Sequence, residues 1–409
     1  MKRVVVTGMG IWSCIGQDLQ TVTESLRQGR SGIIFDPKRI EYGLHCGLVG
    51  NVSRPDLKPL LPRRYRVSMG EDSEYAYMAA RQAFEQAGIN DEYLRQNEVG
   101  IIFGEEPSAM GIIGAHQIME QEHDATMIEP SLLFKQGSSS VSMNLSTIFH
   151  LRGIGFCVSG ACASSSHAIG VGSMFIRNGT QSIILVGGSI DSYMLNMVAT
   201  DAIEALSLRN DNPHQASRPF DCDRDGMVPS AGAAAIILEE YEHAKARGAT
   251  ILAEVCGYGF SSNGIEEISA PDAEAEYIAM KRALDDAGLQ PSDIDYVNAH
   301  GTSTPLGDIE EAKALMRLFG SKPYISSTKS MTGHENWMAG ASETVYSILM
   351  MQNGFVAPNI NLENVIDEAK DLNIVRETIY TPIRTVLSNS SGMGGTNSAL
   401  VFRKIENGK

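Results

Sequence analysis

Tyr77–Ile89 reads YMAARQAFEQAGI, and Tyr277–Leu289, 200 residues later, reads YIAMKRALDDAGL. Both segments place apolar residues at helical spacing and stop at Ala-Gly, a common signal for the end of a helix. Each is followed by an apolar run that is typical of a strand, Val99–Gly104 in the first case and Ile294–Gly301 in the second. The matching helix, stop and strand predict a duplicated α/β unit with two related halves.

The rest of the chain continues this alternation of strands and helices. Four further runs are predicted to be strands: Lys2–Gly8, Ser182–Gly188, Ala233–Glu239 and Ala399–Arg403. The alternation predicts an α/β fold. We expect the halves to divide near Gly248, after a polar helix at Tyr241–Arg247, into residues 1–248 and residues 249–409. No long linker separates them, so we expect the halves to pack tightly around a shared active site.

Composition limits the classes of function. Of the 409 residues, 43% are hydrophobic and 20% are charged, with a net charge of −16 and a pI near 5.0. A chain this acidic repels nucleic acid and anionic membranes, which argues against binding to either of them. No apolar run approaches the roughly 20 residues that span a bilayer. The first apolar run meets Gly8 too early to be a signal peptide.

The six cysteines are scattered, at positions 14, 46, 157, 162, 222 and 256, without the paired spacing of a metal site. We therefore expect reduced thiols in a cytoplasmic protein that binds no metal.

One of these cysteines has an unusual setting. Phe156–Gly172 reads FCVSGACASSSHAIGVG, in which a strand-like run gives way to small residues, then Cys162, then a helix-like pattern. This order predicts a thiol on a tight turn at a helix N-terminus, where free N–H groups and the helix dipole favour the thiolate. The small neighbours leave room for a bulky acyl substrate. We interpret Cys162 as a nucleophile.

Two histidines follow strand-like runs in the second half, within small, hydroxyl-rich loops. His300 lies in Asn298–Asp308, NAHGTSTPLGD, and His334 ends Ser326–His334, SSTKSMTGH. Together with the nucleophile Cys162, the two histidines form a candidate catalytic set. The glycine-rich turn Ser388–Asn397, SNSSGMGGTN, offers backbone N–H groups to a developing oxyanion.

Five motifs in this order resemble those of an elongating β-ketoacyl-acyl-carrier-protein synthase. They are VSGACAS around Cys162, RPFDCDRDG at Arg218–Gly226, NAHGTSTPLGD around His300, KSMTGH ending at His334 and GMGGTN at Gly392–Asn397. The resemblance extends over essentially the whole chain. It implies a thiolase-like duplicated fold, in which two α/β halves form a five-layered αβαβα sandwich, normally in a homodimer.

The same resemblance implies the reaction and the residues that perform it. Cys162 takes an acyl group from the phosphopantetheine thioester of a carrier protein; malonyl-carrier protein then loses carbon dioxide and attacks this acyl-enzyme. A fatty-acid, polyketide or polyene chain gains two carbons, without a further cofactor. The implied roles are enolate stabilisation for His300 and His334, loop electrostatics for Lys329 and Glu343, an oxyanion hole of the N–H groups of Cys162 and Met393, and substrate binding for Thr302, Thr304, Gly394 and Asn397.

A basic cluster interrupts this acidic chain at Arg63, Arg64 and Arg66. In the family that the chain resembles, this is where the acidic acyl carrier protein docks. The resemblance also implies a homodimer, with a heterodimer of this chain and a sister subunit as the alternative.

Three rival functions remain to be weighed. A thiolase shares the fold but uses a second cysteine near its C-terminus, and no cysteine follows Cys256 here. A starter-type ketosynthase pairs its cysteine with His and Asn, whereas this chain offers His334 in the second position. A chain-length-shaping partner subunit with little activity of its own typically lacks the nucleophile, and the presence of Cys162 argues against that role.

The chain also departs from the family pattern near the site. Trp337 and Met338 replace small residues after the second histidine, and Ser391 and Met393 replace aromatic residues of the glycine-rich turn. Glu105–Pro107 replaces a small Gly/Ser stretch. These departures suggest a specialised enzyme that builds a polyene or aryl-primed product, acting as one subunit of a heterodimeric ketosynthase.

Overall fold

Strands and helices alternate through residues 1–405, the part of the chain that this computed structural model describes. Residues 406–409, the end of the predicted second half, lie outside the described residues. The strands are β1 Val4–Trp12, β2 Ile33–Phe35, β3 Leu48–Gly50, β4 Gly100–Gly104, β5 Gly155–Val158, β6 Ile183–Ile190, β7 Gly232–Glu240, β8 Ala253–Ser262, β9 Tyr296–Asn298, β10 Tyr324–Ser326, β11 Phe355–Val356, β12 Ile379–Tyr380, β13 Thr385–Gly392 and β14 Thr396–Arg403. The helices are α1 Leu19–Gln28, α2 Pro37–Tyr42, α3 Arg63–Arg66, α4 Glu71–Gln86, α5 Asp91–Gln96, α6 Ala109–Glu122, α7 Ser131–Lys135, α8 Ser140–Phe149, α9 Ser164–Arg177, α10 Val198–Ala202, α11 Tyr241–Ala246, α12 Ala273–Ala287, α13 Gly307–Phe319, α14 Lys329–Thr332 and α15 Ala339–Asn353.

The main sheet consists of two five-stranded halves with the same order of strands. From the centre outwards, the first half runs β1, β7, β6, β4, β5 and the second runs β8, β14, β13, β9, β10. In both halves the first two pairings are antiparallel and the next two are parallel. The halves join where Val5 and Val6 of β1 pair with Glu254 and Ala253 of β8. The predicted duplicated fold is therefore confirmed.

Helices cover each half-sheet on both faces. Between the half-sheets lie α9 and α15, each of which packs against strands of both halves. On the outer faces, α4 packs against β1 and β7, and α12 packs against β8 and β14. The middle helix α15 is buried from Ala339 to Met351 because it faces a sheet on either side. The layers run helix, sheet, helix, sheet, helix, as predicted for the αβαβα sandwich.

Glycines in the first strand of the first half allow a helix to pack against bare backbone. A Cβ on Gly8 would lie 2.1 Å from the Ala83 carbonyl oxygen, and one on Gly10 would lie 1.9 Å from that of Ala79. The sequence prediction ended this strand at Gly8, which is wrong, because β1 continues to Trp12. Glycine here marks the close approach of α4 rather than the end of the strand.

The second half repeats this contact. A Cβ on Gly257 of β8 would lie 2.2 Å from the carbonyl oxygen of Ala283, and one on Gly259 would lie 2.1 Å from that of Ala279. The two alanines occupy the same places in the repeated segment as those of α4. The repeat seen in the sequence is therefore the helix face that meets the glycine-bearing strand.

One predicted strand is much shorter in the structure. The sequence predicted a strand at Ile294–Gly301, whereas β9 covers only Tyr296–Asn298. The N–H groups of His300 and Gly301 are 2.6 Å from the carboxylate oxygens of Glu311, to which they donate. The backbone therefore leaves the sheet and forms a loop that is held by a side chain.

The other predicted strands are present in the structure. They correspond to β4 (predicted at Val99–Gly104), β6 (Ser182–Gly188), β7 (Ala233–Glu239) and β14 (Ala399–Arg403). Among the described residues, no helix combines the length and the apolar character that crossing a bilayer would require.

Candidate active site

Cys162 lies on a strained turn between β5 and α9. It occupies a single 3-10 turn, Ala161–Ala163, and the α-helix begins two residues later at Ser164. Ala161 has a φ of 48°, which is unfavourable for a residue with a Cβ. The Glu106 carboxylate accepts a hydrogen bond of 3.1 Å from the Ala161 N–H and so holds this conformation.

Sequence reasoning missed this supporting role of Glu106, although a signal was present. Glu106 follows β4, Cys162 follows β5, and these two strands are parallel neighbours. The carboxyl ends of adjacent parallel strands meet at one edge of a sheet, so residues just beyond them come close together.

A cavity of about 550 Å³ opens at the Cys162 thiol. It collects nearly all the residues to which the sequence assigned catalysis or substrate binding: Cys162, His300, Thr302, Thr304, His334, Met393, Gly394 and Asn397. Lys329 and Glu343 lie behind this wall and are not part of it. The structure therefore brings loops from both halves of the chain into one site, as expected for a shared active site.

The two histidines lie side by side next to the thiol. His334 Nε2 is 3.0 Å from Cys162 Sγ, within hydrogen-bond distance for sulfur. The ring of His300 stands almost perpendicular to that of His334, with 5.4 Å between the ring centroids. A group bound above the thiol can therefore meet an imidazole from each of two loops.

The surroundings of the Cys162 thiol shift its pKa in both directions. Burial raises the pKa of Cys162, while a backbone hydrogen bond from Met393 and the charge of Lys329 lower it by less. Burial therefore opposes the thiolate that the sequence analysis expects at this helix N-terminus. A neutral thiol beside an imidazole that can accept its proton fits this environment.

Both imidazoles are neutral near pH 7. Burial, and then the nearby Lys329 ammonium, lowers the pKa of His334 well below its usual value. The pKa of His300 falls for the same two reasons. A neutral imidazole donates from one nitrogen and accepts at the other. Each ring is therefore able to donate a hydrogen bond to an oxygen that gains negative charge.

Lys329 and Glu343 form a buried ion pair beneath the site. Their side chains are 2% and 1% exposed, so neither charge is solvated by water. Burial raises the pKa of Glu343 to about 7, against the opposing effect of the Lys329 charge. Since Lys329 also lowers the pKa of the thiol and of both imidazoles, its ammonium acts on the reacting groups through space rather than by contact.

The His300 loop is held by a carboxylate that sequence reasoning did not single out. Glu311 on α13 accepts the His300 and Gly301 N–H groups and also a hydrogen bond of 2.8 Å from the Asn389 side chain. Glu311 is 2% exposed. Its position on the helix that directly follows the His300 motif was the available signal.

The glycine-rich turn joins β13 to β14 above the thiol. Gly394 and Gly395 adopt φ values of 91° and 85°, a region that glycine occupies without strain. Met393 is 51% exposed at the tip, while its backbone hydrogen-bonds to Cys162. The backbone is therefore fixed towards the thiol while the side chain faces the cavity.

The predicted substrate-binding side chains differ in how free they are. Thr302 and Thr304 line the cavity with their hydroxyl oxygens 2.9 Å apart. Asn397 also lines it, but its amide already donates to Asn263 over 2.8 Å. The threonines thus offer hydroxyl groups to a ligand more readily than Asn397 offers its amide.

Two of the three departures from the family pattern lie outside this cavity. Trp337 and Met338 pack their backbone against Gly188. A Cβ on Gly188 would lie 2.9 Å from the Trp337 carbonyl oxygen and 3.0 Å from the Met338 Cα. Glu105 is buried and accepts a hydrogen bond of 2.9 Å from the N–H of Val141 in α8. The third departure lies in the glycine-rich turn. Ser391 and Met393, which stand where the family has aromatic residues, both line the cavity.

The arginine cluster forms the short helix α3, away from the cavity lining. Arg63 and Arg64 are exposed. Arg66 is half-buried, and its Nε donates to the Leu61 carbonyl oxygen over 3.0 Å. Arg66 thus stabilises its own loop. Arg63 and Arg64 form no ion pair with the described residues, and the Arg64 guanidinium lies over the Tyr65 ring, 4.9 Å from its centroid.

Comparison with known proteins identifies the family. The protein-family model for the β-ketoacyl synthase N-terminal domain matches residues 1–244 of this chain. The family model for the C-terminal domain matches residues 252–363. The chain belongs to the β-ketoacyl synthase family. It is 41% identical over 411 residues to 3-oxoacyl-acyl-carrier-protein synthase 1 of Escherichia coli strain K12, a match that covers 99% of this chain and 100% of the relative.

Solved structures agree with this assignment. A β-ketoacyl synthase from Burkholderia phymatum STM815 superposes with a TM-score of 0.93 at 37% identity, over 99% of this chain and 100% of the other. The ishigamide ketosynthase/chain length factor gives 0.90 at 29% identity, with the same coverage. As a β-ketoacyl synthase, the protein is an acyltransferase whose Claisen condensation lengthens an acyl chain by two carbons.

Within residues 1–405, no group of three or more His, Cys, Asp or Glu side chains is arranged to hold a metal ion.

Proposed function

We propose that this synthase condenses an acyl group held on Cys162 with malonyl-acyl-carrier protein, in a decarboxylative Claisen reaction. The observation that carries the proposal is the contact of 3.0 Å between Cys162 Sγ and His334 Nε2, at the base of a cavity that His300 also lines. A nucleophile, its base and a second imidazole thus face one space large enough for a thioester.

In the first half-reaction, Cys162 Sγ attacks the acyl thioester carbonyl while His334 Nε2 takes the thiol proton. The carbonyl oxygen becomes an oxyanion that faces the N–H groups of Cys162 and Met393. One such donor is typically worth about 3 kcal/mol of barrier lowering. Collapse of the tetrahedral intermediate expels the carrier thiolate, which takes the proton back from His334 and leaves the acyl-enzyme.

In the second half-reaction, the malonyl thioester loses carbon dioxide. The electron pair of the broken carbon–carbon bond forms an enolate whose oxygen accepts hydrogen bonds from His300 and from His334. For this step His334 carries its proton on Nε2, the tautomer that its unpartnered Nδ1 permits. The enolate carbon then attacks the acyl-Cys162 carbonyl, and the thiolate of Cys162 leaves. The Cys162 thiolate takes up one proton from water, and a β-ketoacyl thioester remains on the carrier protein.

Both substrates arrive on the phosphopantetheine arm of the carrier, so the reaction needs no resident cofactor. Thr302 and Thr304 offer hydroxyl groups to the amides of that arm, and Gly394 leaves the turn open, since nothing lies within 4 Å of where its Cβ would stand. Asn397 supports the turn through Asn263.

This function is tested by following the acyl group. The protein is incubated with a panel of acyl-carrier thioesters, and the peptide that contains Cys162 is examined by mass spectrometry. We expect an acyl adduct on that peptide, which disappears when malonyl-carrier protein is added and a β-ketoacyl product forms. No adduct from any thioester would contradict the proposal.

We further propose that Arg63 and Arg64 dock the acidic carrier protein. They are exposed, adjacent cations on a chain with a net charge of −16, so they offer an acidic partner a local positive patch on an acidic surface. Arg63→Glu with Arg64→Glu is expected to raise KM for the carrier substrate several-fold, to leave kcat nearly unchanged and to weaken the dependence of KM on salt.

The matched control reverses two exposed arginines of the C-terminal half, Arg376 and Arg384, to give the same net charge. Steady-state kinetics at low and high salt compare the two proteins. If both double variants raise KM equally, the effect reflects net charge and not docking at α3.

We propose that the synthase forms a dimer. The edge strand β5, next to the nucleophile, has one unpaired side. Six large apolar residues from α6 to α8 are exposed: Ile112, Met119, Met127, Leu133, Phe134 and Met143. An open strand edge beside apolar surface is typical of an interface. A second copy would give a homodimer, and a sister ketosynthase subunit would give a heterodimer.

A specialised product is the second candidate function. It is favoured by the exchanged residues Ser391 and Met393 in the cavity wall and by the likeness to the ishigamide ketosynthase/chain length factor. In that case the chain is the catalytic subunit, since Cys162 is in contact with His334. A polyene or aryl-primed acyl group would then be the adduct found on Cys162.

Two smaller proposals concern the organisation of the chain and its location. We propose that the halves divide at residues 248 and 249, supported by α11 and the short link between β7 and β8. We also propose a cytoplasmic setting, supported by six cysteines that are all free thiols.

Met393 gives a direct test of acyl selectivity. Methionine is flexible and adapts to differently shaped ligands, whereas phenylalanine has a rigid ring. Met393→Phe is expected to narrow the range of acyl groups accepted, with decarboxylation largely preserved because the backbone donor remains. Acylation rates for short, long, unsaturated and aromatic thioesters are compared between wild type and Met393→Phe. The control is Met316→Phe, which changes an exposed methionine of α13 outside the cavity wall. Identical selectivity in all three proteins would assign the pocket to other residues.

A further inference from the structure

The short segment that carries His334 lies between two residues with left-handed backbone conformations. Gly333 has a φ of 70°, and Asn336 has a φ of 44°. A Cβ on Gly333 would lie 2.6 Å from the Val228 carbonyl oxygen, so a larger residue would collide with it. The His334 N–H donates to this carbonyl oxygen over 2.6 Å, and the His334 carbonyl oxygen accepts from the Ser230 N–H over 3.0 Å. The backbone of His334 is thus attached to the residues that precede β7.

A buried carboxyl group attaches the same segment to the middle helix α15. Glu335, which has no part in the mechanism above, is 1% exposed. Its Oε1 accepts a hydrogen bond of 2.9 Å from the Tyr346 hydroxyl, and its Oε2 accepts one from the Ser342 hydroxyl. The two donors lie four residues apart, on one face of α15. A carboxyl group is costly to bury unless it is hydrogen-bonded, and here each oxygen has its own donor.

The helix that binds Glu335 is itself firmly placed. It also carries Glu343, which pairs with Lys329 at the start of α14, the helix that leads into the same loop. The hydroxyl oxygen of Tyr346 is 3.0 Å from Ser13 Oγ, just beyond the end of β1. The loop is therefore attached to α15 on either side of its histidine, once through an ion pair and once through the Glu335 carboxyl.

We propose that Glu335 is a positioning residue of this synthase, whose two hydrogen bonds to α15 keep the His334 imidazole at the Cys162 thiol. The inference rests on the proposed function, because that function makes His334 the base for the thiol. Glu335 does not line the cavity, so it acts on the reaction only through its neighbour. His334 Nε2 is 3.0 Å from Cys162 Sγ, and a loosened segment would lengthen this contact and slow proton transfer.

The first test measures acylation. Glu335→Ala removes both hydrogen bonds to α15, and we expect acylation of Cys162 to slow on the order of 10-fold to 100-fold, the range that a displacement of about 1 Å can cause. Glu335→Gln carries no charge but keeps an oxygen that accepts from Tyr346, so it is expected to recover most of the lost rate. This recovery separates the hydrogen bonds from the charge. The control is Glu377→Ala, which truncates an exposed glutamate.

The second test follows the thiol without any substrate. Iodoacetamide alkylates thiolates, and mass spectrometry quantifies the peptides that contain Cys162 and Cys222 in the same sample. In folded Glu335→Ala, we expect the alkylation rate of Cys162 to fall several-fold relative to that of the exposed Cys222, because the Cys162 thiol loses the imidazole that accepts its proton. A role confined to stability would lower the Tm and leave this ratio unchanged.

Three results would overturn the inference: wild-type acylation in Glu335→Ala, an unchanged alkylation ratio in that variant, or a Glu335→Gln protein that is as slow as Glu335→Ala. If Glu335→Ala does not fold, Tyr346→Phe removes one of the two bonds by deleting a single oxygen, and a smaller loss of both rates is then required. The exposed Tyr380, as Tyr380→Phe, is the control for that variant.

The experiment keeps this inference separate from the proposed function. Failure of wild type itself to acylate Cys162 would contradict the proposed function. Wild-type acylation with unaffected variants would contradict only the role of Glu335.

Discussion

Cys162→Ala is expected to reduce condensation by ~10⁴-fold or more, the usual effect of removing a covalent nucleophile. Without Sγ no acyl-enzyme forms, and no other described residue of the cavity wall is a cysteine. Intact-protein mass spectrometry after incubation with an acyl-carrier thioester, together with a condensation assay, measures both consequences. The fold is expected to persist, because the substitution removes one atom from a partly exposed side chain.

Cys222 is the matched control. It is exposed and free, so Cys222→Ala removes a thiol that reagents reach easily but that lies outside the cavity. We expect this variant to retain both acylation and condensation. Acyl groups spread over several cysteines, or a Cys162→Ala protein that still condenses, would show that another group is the nucleophile.

His334→Ala and His300→Ala are expected to reduce decarboxylation of malonyl-carrier protein by roughly 10²-fold to 10⁴-fold each, as for loss of a general acid–base group or an oxyanion donor. The two should differ in the first half-reaction. His334 Nε2 contacts Cys162 Sγ, so His334→Ala should also slow acylation, whereas His300→Ala should largely preserve it. Separate assays of acylation and of carbon dioxide release distinguish these effects.

The exposed His214, as His214→Ala, controls for loss of an imidazole elsewhere in the chain. Normal decarboxylation in both active-site variants would remove the histidines from the mechanism. Equal slowing of acylation in the two variants would mean that the contact between His334 and the thiol is not functional.

Much of the fold could be predicted because its determinants are local and repeated. The alanines of the two similar helices stand 200 residues apart and meet glycines in the equivalent strands, β1 and β8. Helical spacing, a glycine stop and an apolar strand are patterns that a short window of sequence contains. The prediction failed at Gly8, where a glycine that lets a helix approach resembles one that ends a strand.

The candidate site could be predicted in its membership but not in its energetics. The motifs identified Cys162, His300 and His334, and all three line one cavity. The sequence did not predict that burial opposes the thiolate of Cys162, because it shows the helix that favours the charge but not the atoms that pack around Sγ. Desolvation depends on everything packed around a group and has no local signature.

The sequence by itself determined the duplicated α/β fold, the nucleophile on its turn and the two histidine loops, since each depends on residues close together in the chain. Only the tertiary structure decided which carboxylates support them. Glu106 holds the Cys162 turn over 55 residues of sequence separation, and Glu311 joins the His300 loop to Asn389, which is 78 residues away from Glu311 in the chain. Such partners are chosen by the packing of sheets and helices, because a hydrogen bond requires atoms within about 3 Å of each other in space and no particular spacing in the chain.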